Sequence, residues 1–590
     1  VARRRVVAKH DDSAEILRYY RELVTEPDQR PPFKYRPSHL GPTWETDAKG
    51  RFILPEYSIG WDSLVWSGQK LQLTRGEPWK FTAEQARFWL WWYAVDSDGT
   101  FIFDREGIMQ RLKGHGKDPM GAAIAGNELV GLPVFDGISR GKARAAEQPN
   151  AWVQILAVTQ EQTKNTMRLF PGLFTDDAKA EYGLAIGKEQ IYALGDERFL
   201  QALTSNPAPL EGARPTFTLA NETHHWRENN NGIAMYETLS RNAAKSAEGV
   251  NGRLLQLSNA YEPGMDSVLE RTRLAYEAAQ SRPDEILLSG VMYDSLEAGA
   301  EAPLVDENDP DVIVSVLESV RGDSVWLNIK RLRKQVEDPR IAPSQSRRFW
   351  YNQIVASEDA WLDPLAVDAQ RTDLTLQKGD EIALFFDGSK NDDATALVAC
   401  RISDGVVFTM GLWQSPPKRG RKNFDWVVPR ADVNALVKQI FRDYKVLGFF
   451  ADPSHTREDG TLDRFWQPMV DEWHRTFGPR LVIWAQPNRH AVSFDMANRN
   501  GEGAKFVAAA ELFVEELEGG DLWHDGNPEL VRHMKHARRF PTQHGISLMK
   551  DGPESPRKID LAVCAVGARM VRTLILNSAK KRGIARGTVW

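Results

Sequence analysis

The sequence predicts two α/β domains in series, and three observations carry that prediction. Short apolar runs alternate with helical patterns from about residue 75 to about residue 365. The pattern weakens at Asp363-Pro364, and a polar connector runs to Lys378-Gly379-Asp380. A second strand-rich unit opens at Glu381 and closes with an apolar helix from about Lys558 to Leu576. The boundaries read this way are an N-terminal arm over 1–60, a first domain over 61–365, a linker over 366–380, a second domain over 381–578 and a basic tail over 579–590. A length of 590 residues accommodates two or three domains at ~150 residues each.

Composition narrows the class. With 42% hydrophobic and 26% charged residues, the chain has the make-up of a globular protein with substantial cores. A formal net charge of −6 argues against a histone-like DNA coat and leaves room for a local basic groove. Two cysteines, Cys400 and Cys564, are too few for a disulfide framework or a thiolate zinc cage, which fits a reducing compartment. Apolar stretches such as Phe88 to Val95 fall short of the ~18 residues that a membrane span needs. The opening Val1-Ala2-Arg3-Arg4-Arg5 has no apolar core behind its charge, so an export signal is not expected. No repeat of fixed period is visible, so a solenoid or propeller is not suggested. Prolines at 31, 32, 37 and 55 predict an arm with limited regular structure. The tail from Lys580 is expected to be disordered.

In the first domain, strands are expected at Phe101-Ile102-Phe103, Val153 to Val158, Phe217 to Ala220 and Leu254 to Leu257. A further strand at Gly107 to Gln110 leads into the glycine-rich Arg111-Leu-Lys-Gly114-His-Gly116-Lys117-Asp118-Pro119 and a helix over Met120 to Leu129. Strand, glycine turn with lysine, then helix is the arrangement that cradles nucleotide phosphates. Backbone N–H groups and the helix N-terminus face the anion, and the lysine reaches the terminal phosphates. Two positions depart from that pattern: Arg111 stands for the first glycine, and Asp118 for the Ser/Thr that would ligate Mg²⁺. By pattern alone a second account stands beside it, with Asp118 as a helix N-cap and Pro119 at the first helical position.

The run Phe217-Thr-Leu-Ala-Asn221-Glu222 resembles a Walker B strand in which Asn221 replaces the usual Asp. The two departures compensate if Asp118 supplies the carboxylate to Mg²⁺ and Asn221 the neutral oxygen, since a hard cation still meets oxygen ligands. Glu222 is then the residue that orients and polarises the attacking water. His224 and His225 are read as packing or hydrogen-bonding residues. Gln85, in Thr82-Ala-Glu-Gln85, is a candidate contact to the adenine edge, with a surface helix start as the alternative.

In the second domain, Glu381 to Asp387 and Val446 to Asp452 are apolar strands that each end in aspartate, and Asp560 opens the apolar C-terminal helix. A strand over Ala394 to Cys400, the Asp404-Gly405 turn and a further strand make a meander. Aspartates at neighbouring strand ends, with a third on a helix over the sheet, can hold one or two Mg²⁺ or Mn²⁺ ions. Two such ions, roughly 3.5–4 Å apart, stabilise both oxygens in phosphodiester cleavage. Asp392 and Asp393 read as turn residues, with a fourth acidic position as the alternative, Asp393 first. The run Arg532-His533-Met-Lys535-His536-Ala-Arg538-Arg539, with Trp523 and His524 before it, reads either as phosphate-neutralising or as a solvated helix face. His524, His533 and His536 are not at zinc spacing.

Taken in order, these motifs resemble the large terminase subunit of tailed bacteriophages, across roughly residues 60 to 575. Arg111 stands where that family often has arginine. Leu257-Ser258-Asn259-Ala260 is similar to its coupling motif, and Phe349-Trp-Tyr-Asn352-Gln353 with Glu358-Asp-Ala-Trp361 to the segment that closes its ATPase domain. The resemblance implies a P-loop NTPase domain followed by a ribonuclease-H-like nuclease domain. It implies ATP-driven movement of double-stranded DNA into a procapsid and metal-dependent cutting of concatemeric DNA. Implied site roles are Lys117 with Gly114 and Gly116 on phosphates, Arg111 as a secondary phosphate contact and Asn259 as the coupling residue. Asp387, Asp452 and Asp560 would hold the nuclease metals. Implied cofactors are ATP and Mg²⁺, with Mn²⁺ as a substitute in the nuclease. Implied partners are DNA, a small terminase subunit, and the portal, on which the chain forms a ring of identical copies with an arginine acting in trans. The implied location is the host bacterial cytoplasm, outside the mature virion. A helicase-nuclease of DNA repair and a catalytically decayed docking protein are the rival readings.

Overall fold

Apolar runs flanked by turns become parallel strands when helices cover both faces, and the first half of the chain does this. The computed structural model describes residues 12–27, 33–204, 210–243, 252–280, 290–305, 309, 311–390, 394–415, 426–453, 464–498, 501–552, 555 and 557–587. The chain divides into two units, Val1–Val355 and Ala356–Trp590.

The first unit is built on a nine-stranded sheet. Its strands in chain order are β1 (Ser38–Leu40), β2 (Glu106–Gln110), β3 (Trp152–Leu156), β4 (Ala185–Ile186), β5 (Gln190–Ala193), β6 (Arg198–Leu203), β7 (Phe217–Asn221), β8 (Arg253–Ser258) and β9 (Val291–Glu297). They lie in the order β1-β9-β2-β8-β7-β3-β6-β5-β4. The central six, β9 to β6, are parallel, and β1, β5 and β4 add antiparallel edges. This parallel arrangement, with a glycine loop between β2 and the next helix, is the P-loop NTPase fold predicted from sequence. Phe101-Ile102-Phe103 forms no strand; only Phe101 makes a single bridge, to Val95.

Helices α1 (Ser13–Thr25), α2 (Gly60–Lys70), α3 (Ala83–Trp92) and α4 (Lys117–Val130) are followed by α5 (Gln160–Met167). The expected arm is therefore partly helical. Tyr20 and Val24 of α1 are buried in the same cluster as Leu64, Trp89 and Met120, and the Tyr20 hydroxyl accepts from the Phe81 amide at 3.1 Å. Amphipathic spacing in α1 outweighs the prolines, which all lie beyond it.

The second unit carries a four-stranded sheet of β10 (Glu381–Asp387), β11 (Thr395–Arg401), β12 (Val407–Trp413) and β13 (Lys445–Asp452), in the order β12-β11-β10-β13. The first three form an antiparallel meander, while β13 joins β10 in parallel. This is the ribonuclease-H-like order. Period-2 alternation divides β10 between two cores. Ile382, Leu384 and Phe386 pack with Val433 and Val437 of α6 (Arg430–Asp443) and with Trp473 of α7 (Gln467–Phe477). Ala383 and Phe385 face the other way, toward α8 (Glu502–Glu518), α9 (Pro528–His536) and α10 (Asp560–Gly587).

Two boundaries differ from expectation. Trp361, Leu362 and Val367 belong to the second unit's core, and Trp361 stacks on Phe513 with centroids 5.5 Å apart. The stretch expected to close the first domain and to act as a linker is thus packed, because it carries apolar side chains that find a sheet to cover. At the other end, the α10 backbone continues as helix to Gly587 rather than ending near residue 578.

Over Asp560–Ser578, α10 is also long and apolar enough to cross a membrane by length and composition, contrary to the sequence reading. It lies buried along β10 and β11 instead. Contact there is so close that a Cβ on Gly567 would sit 2.1 Å from the Phe385 ring. Gly567→Val is expected to destabilise the second unit by about 1–3 kcal/mol or prevent its folding, because a rigid ring must shift within a packed core. Chemical denaturation read by second-unit tryptophans, such as Trp466 and Trp473, measures it.

Candidate active sites

The phosphate loop links β2 to α4. Gly116 is the N-cap of α4 at φ 98°, and Gly114 lies at φ 86°, both in the left-handed region where glycine carries no Cβ penalty. This overturns the alternative in which Asp118 is the cap. Lys117, Asp118 and Pro119 occupy the first helical turn, so their amide end and the Lys117 amine face the loop. The Lys117 ammonium donates to the carbonyls of Arg111 and Leu112, each at 3.2 Å. Burial pushes its pKa down to about 8 against the pull of Glu222 and Asp118.

The Arg111 side chain, expected as a secondary phosphate contact, is taken up by buried protein partners. Its guanidinium is ion-paired with Asp294 on β9, donates to the carbonyls of Gln110 and Asp294 at 3.0 Å each, and lies over the Trp44 ring at 5.2 Å. Thr43 donates to the same carboxylate. The side chain is thus a buried anchor, and only its backbone carbonyl faces the loop. Gln85 likewise closes a capping box with Thr82 at the start of α3. It is 7% exposed, so it is not a surface helix start, and its amide nitrogen lies 3.6 Å from where a Gly116 Cβ would be.

Asn221 ends β7, beside β8 and β3. Its amide donates to Thr166 Oγ1 at 2.6 Å, and its buried Oδ1 has no hydrogen-bond partner. Glu222 follows at φ 55° and ψ 47°, a conformation that costs a residue with a Cβ about 1–2 kcal/mol. Its amide donates to the Leu257 carbonyl at 2.7 Å. Burial raises the Glu222 pKa above the usual range, Lys117 opposes that, and Asp118 adds to it. Asp118 is raised by burial as well. Lys117, Asp118 and Glu222 thus share one electrostatic neighbourhood. An orphaned amide oxygen and a largely buried carboxylate make a donor set that fits a hard divalent cation.

Asn259, just past β8, donates to the Arg111 carbonyl at 2.8 Å, which places it against the phosphate loop. Asn352 was visible in the sequence only as part of a motif. Its side chain donates to the carbonyls of Gln110 and Leu296 and accepts from the Ala260 amide, so it ties the ends of three strands together. Trp326 gave no sequence signal; its indole N–H bonds the Gly114 carbonyl at 3.0 Å.

In the second unit, Asp387 and Asp452 are paired in register at the ends of β10 and β13. Asp560 opens α10, and all three carboxylates act on the Cys564 thiol one turn along it. That thiol is pushed up by burial first and by these charges next. Among the described residues, the one group of three or more His, Cys, Asp or Glu side chains whose ligand atoms all lie within 4.8 Å of one another is Glu222, His224 and His225. The three aspartates are therefore spread more widely than a single-ion cage. Three carboxylates at this spread still form an all-oxygen donor set for hard cations. The Met496 amide donates to Asp452 at 3.1 Å, and His533 Nδ1 accepts the Leu561 amide at 3.0 Å, holding the start of α10. Burial pushes His533 down to about 3, which keeps that nitrogen an acceptor. Asp392 and Asp393 lie outside the described residues.

The basic run is mostly spent on structure. Arg532 pairs with Glu529, Lys535 with Asp368 at 2.7 Å, and Arg538 lies 3.8 Å from Asp359. His524 is buried against the Val367 carbonyl at 2.8 Å. Arg539 is exposed.

The chain is 37% identical to the gene 13 protein of Mycobacterium phage L5, over 92% of this chain and 96% of that protein. It belongs to the family of the mycobacteriophage gene 13 proteins. The phage D29 gene 13 protein is 36% identical over the same shares. No family model matches. Among solved structures, the chain resembles the HK97 bacteriophage large terminase, at 15% identity over 87% of this chain and 99% of that one, with a TM-score of 0.43. It also resembles the large terminase of a thermophilic bacteriophage solved in complex with ADP, at 10% identity over 84% and 100%, with a TM-score of 0.30.

Breaking the buried Arg111–Asp294 pair from one side leaves a charge without its partner. Arg111→Ala is expected to destabilise the first unit by about 3–5 kcal/mol, with a far smaller change in nucleotide affinity. Thermal unfolding and nucleotide titration of the same variant separate the two effects.

Proposed function

We propose that this chain is the large subunit of a phage terminase, an ATPase that drives double-stranded DNA into a procapsid and a metal-dependent nuclease that cuts concatemers. One observation carries the reading. A single chain of a phage family joins a phosphate loop sharing its surroundings with a strand-end glutamate to a second sheet where two strand-end aspartates and one at a helix start share the surroundings of Cys564. The proposed partners are the small subunit and the portal, on which copies form a ring, and the proposed location is the host cytoplasm.

In the ATPase, Lys117 and the α4 N-terminus bind the phosphates. Asp118 and Asn221 hold Mg²⁺, which when bound neutralises charge developing on the phosphate oxygens. Glu222 accepts the proton of the attacking water, and burial makes its carboxylate a stronger base than an exposed one. Asn259 relays the state of the loop through the Arg111 carbonyl. In the nuclease, Asp387, Asp452 and Asp560 would hold divalent ions, whose chemistry would be to polarise the scissile phosphate and the water that attacks it. The strands and the Met496 amide orient the first two carboxylates, while His533 steadies the helix end that presents the third.

Plasmid cleavage and ATP turnover, measured together, test this. Asp387→Ala is expected to lose cleavage and keep turnover. Glu222→Gln is expected to lose turnover on the order of 10²–10⁴-fold and keep cleavage. A wild type that does neither, even with portal and small subunit present, favours the decayed docking protein. The exchange of ligand roles has its own test. Asp118→Ala should abolish Mg-ATP turnover, and Asp118→Ser with Asn221→Asp should recover activity that each single change lacks. No recovery in the double variant counts against the exchange.

A further inference from the structure

This inference rests on the ATPase reading above and concerns how the hydrolytic carboxylate is held. We infer that His224 is the positioning residue of the ATPase site: its ring holds Glu222 and links it to the end of β8 through Ser258.

Glu222 stands on a left-handed residue beyond the end of β7, followed by a short 3-10 turn over Thr223–His225. A side chain placed there needs a lateral support, because no strand neighbour fixes it. His224 supplies one. Its Nδ1 lies 3.4 Å from Glu222 Oε2 and 2.9 Å from Ser258 Oγ, and its backbone N–H donates to the same Ser258 Oγ at 3.1 Å. The ring is 1% exposed, and its Nε2 is buried with no hydrogen-bond partner.

These contacts select a tautomer. If Nε2 carried the proton, a buried N–H donor would be orphaned, whereas an orphaned acceptor lone pair costs less. The proton therefore sits on Nδ1, shared between Ser258 Oγ and the Glu222 carboxylate. Burial holds the ring neutral, in agreement with this assignment.

The contact extends into the phosphate loop. The Arg111 amide donates to the Ser258 carbonyl at 3.1 Å, and the next residue, Asn259, donates to the Arg111 carbonyl at 2.8 Å. Lys117 donates to that carbonyl too. Glu222, His224, Ser258, Asn259, Arg111 and Lys117 thus form one continuous path from hydrolytic carboxylate to phosphate-binding amine. His224 is its sole side-chain link between β7 and β8 among these residues. A change at the γ-phosphate position that moves Glu222 is transmitted to the end of β8 through this ring.

Steady-state ATP turnover by the full chain tests the role, using His224→Phe and His224→Asn. Phenylalanine keeps the ring volume and removes the Nδ1 contacts with Ser258 and Glu222 while the backbone N–H bond to Ser258 remains; asparagine returns a polar atom near the position of Nδ1. His224→Phe should lower kcat on the order of tenfold to a hundredfold, with the KM for ATP changed less than about twofold. His224→Asn should recover most of that loss. Ser258→Ala should lower kcat in the wild type and add little in the His224→Phe background. Equal turnover by His224→Phe and wild type, an asparagine variant no better than phenylalanine, or additive serine and histidine losses would overturn the role while leaving the ATPase intact. A wild type without ATP turnover overturns the ATPase reading and this inference together.

Discussion

The first unit depends on the ion pair between Arg111 and Asp294. Both groups are almost wholly shielded from water, at 2% and 0% side-chain exposure. Burying two charges is costly unless they are hydrogen-bonded, and here two main-chain carbonyls, Thr43 and the Trp44 face surround them, with Arg111 Nε alone of the guanidinium nitrogens lacking a partner. The consequence is geometric. With its side chain fixed to β9, Arg111 presents its carbonyl inward, where Lys117 and Asn259 converge on it. An arginine in place of the first loop glycine therefore exchanges backbone freedom for a fixed origin of the loop. It also makes the N-terminal segment around Thr43 and Trp44 part of the phosphate site's foundation.

Burial without full pairing shapes the chemistry at the loop. Lys117 is pushed down while Asp118 and Glu222 are pushed up, so each charge is held in place by the others more than by solvent. A nucleotide with its cation would supply the charges this cluster lacks. The Glu222 backbone belongs to the same pattern, since strain at a strand end is retained where surrounding bonds over-determine it. Its amide bond to Leu257 and the His224–Ser258 contacts do so.

The second unit solves a different problem, which is to bring together acids from strands and a helix far apart in sequence. Parallel pairing of β10 with β13 sets Asp387 opposite Asp452 by register alone. The third acid depends on α10 lying close over β10, which a glycine at 567 permits. His533 on α9 then satisfies the Leu561 amide that the start of α10 leaves open.

Local pattern alone set the strands and their chemistry-bearing ends. Apolar runs ending in Asn221-Glu222, Asp387 and Asp452 are local patterns of period two and strand length, and they survived into the structure nearly residue for residue. The glycine loop and the helix after it were legible for the same reason. Only the tertiary structure decided the partners. Asp294 lies 183 residues from Arg111, and Asn352 lies 242 residues from Gln110. No periodicity encodes such pairings, so the buried partners of Arg111, and the ion pairs of Arg532 and Lys535 in the basic run, could not be read from the sequence. The same holds for Trp361, expected to close the first domain, and for Val367, in the expected linker over 366–380, since both lie in the second core. Local sequence fixes backbone conformation through short-range sterics and burial pattern. Which charge faces which is settled only when distant strands pack, because a buried charge is stable only where its partner also arrives.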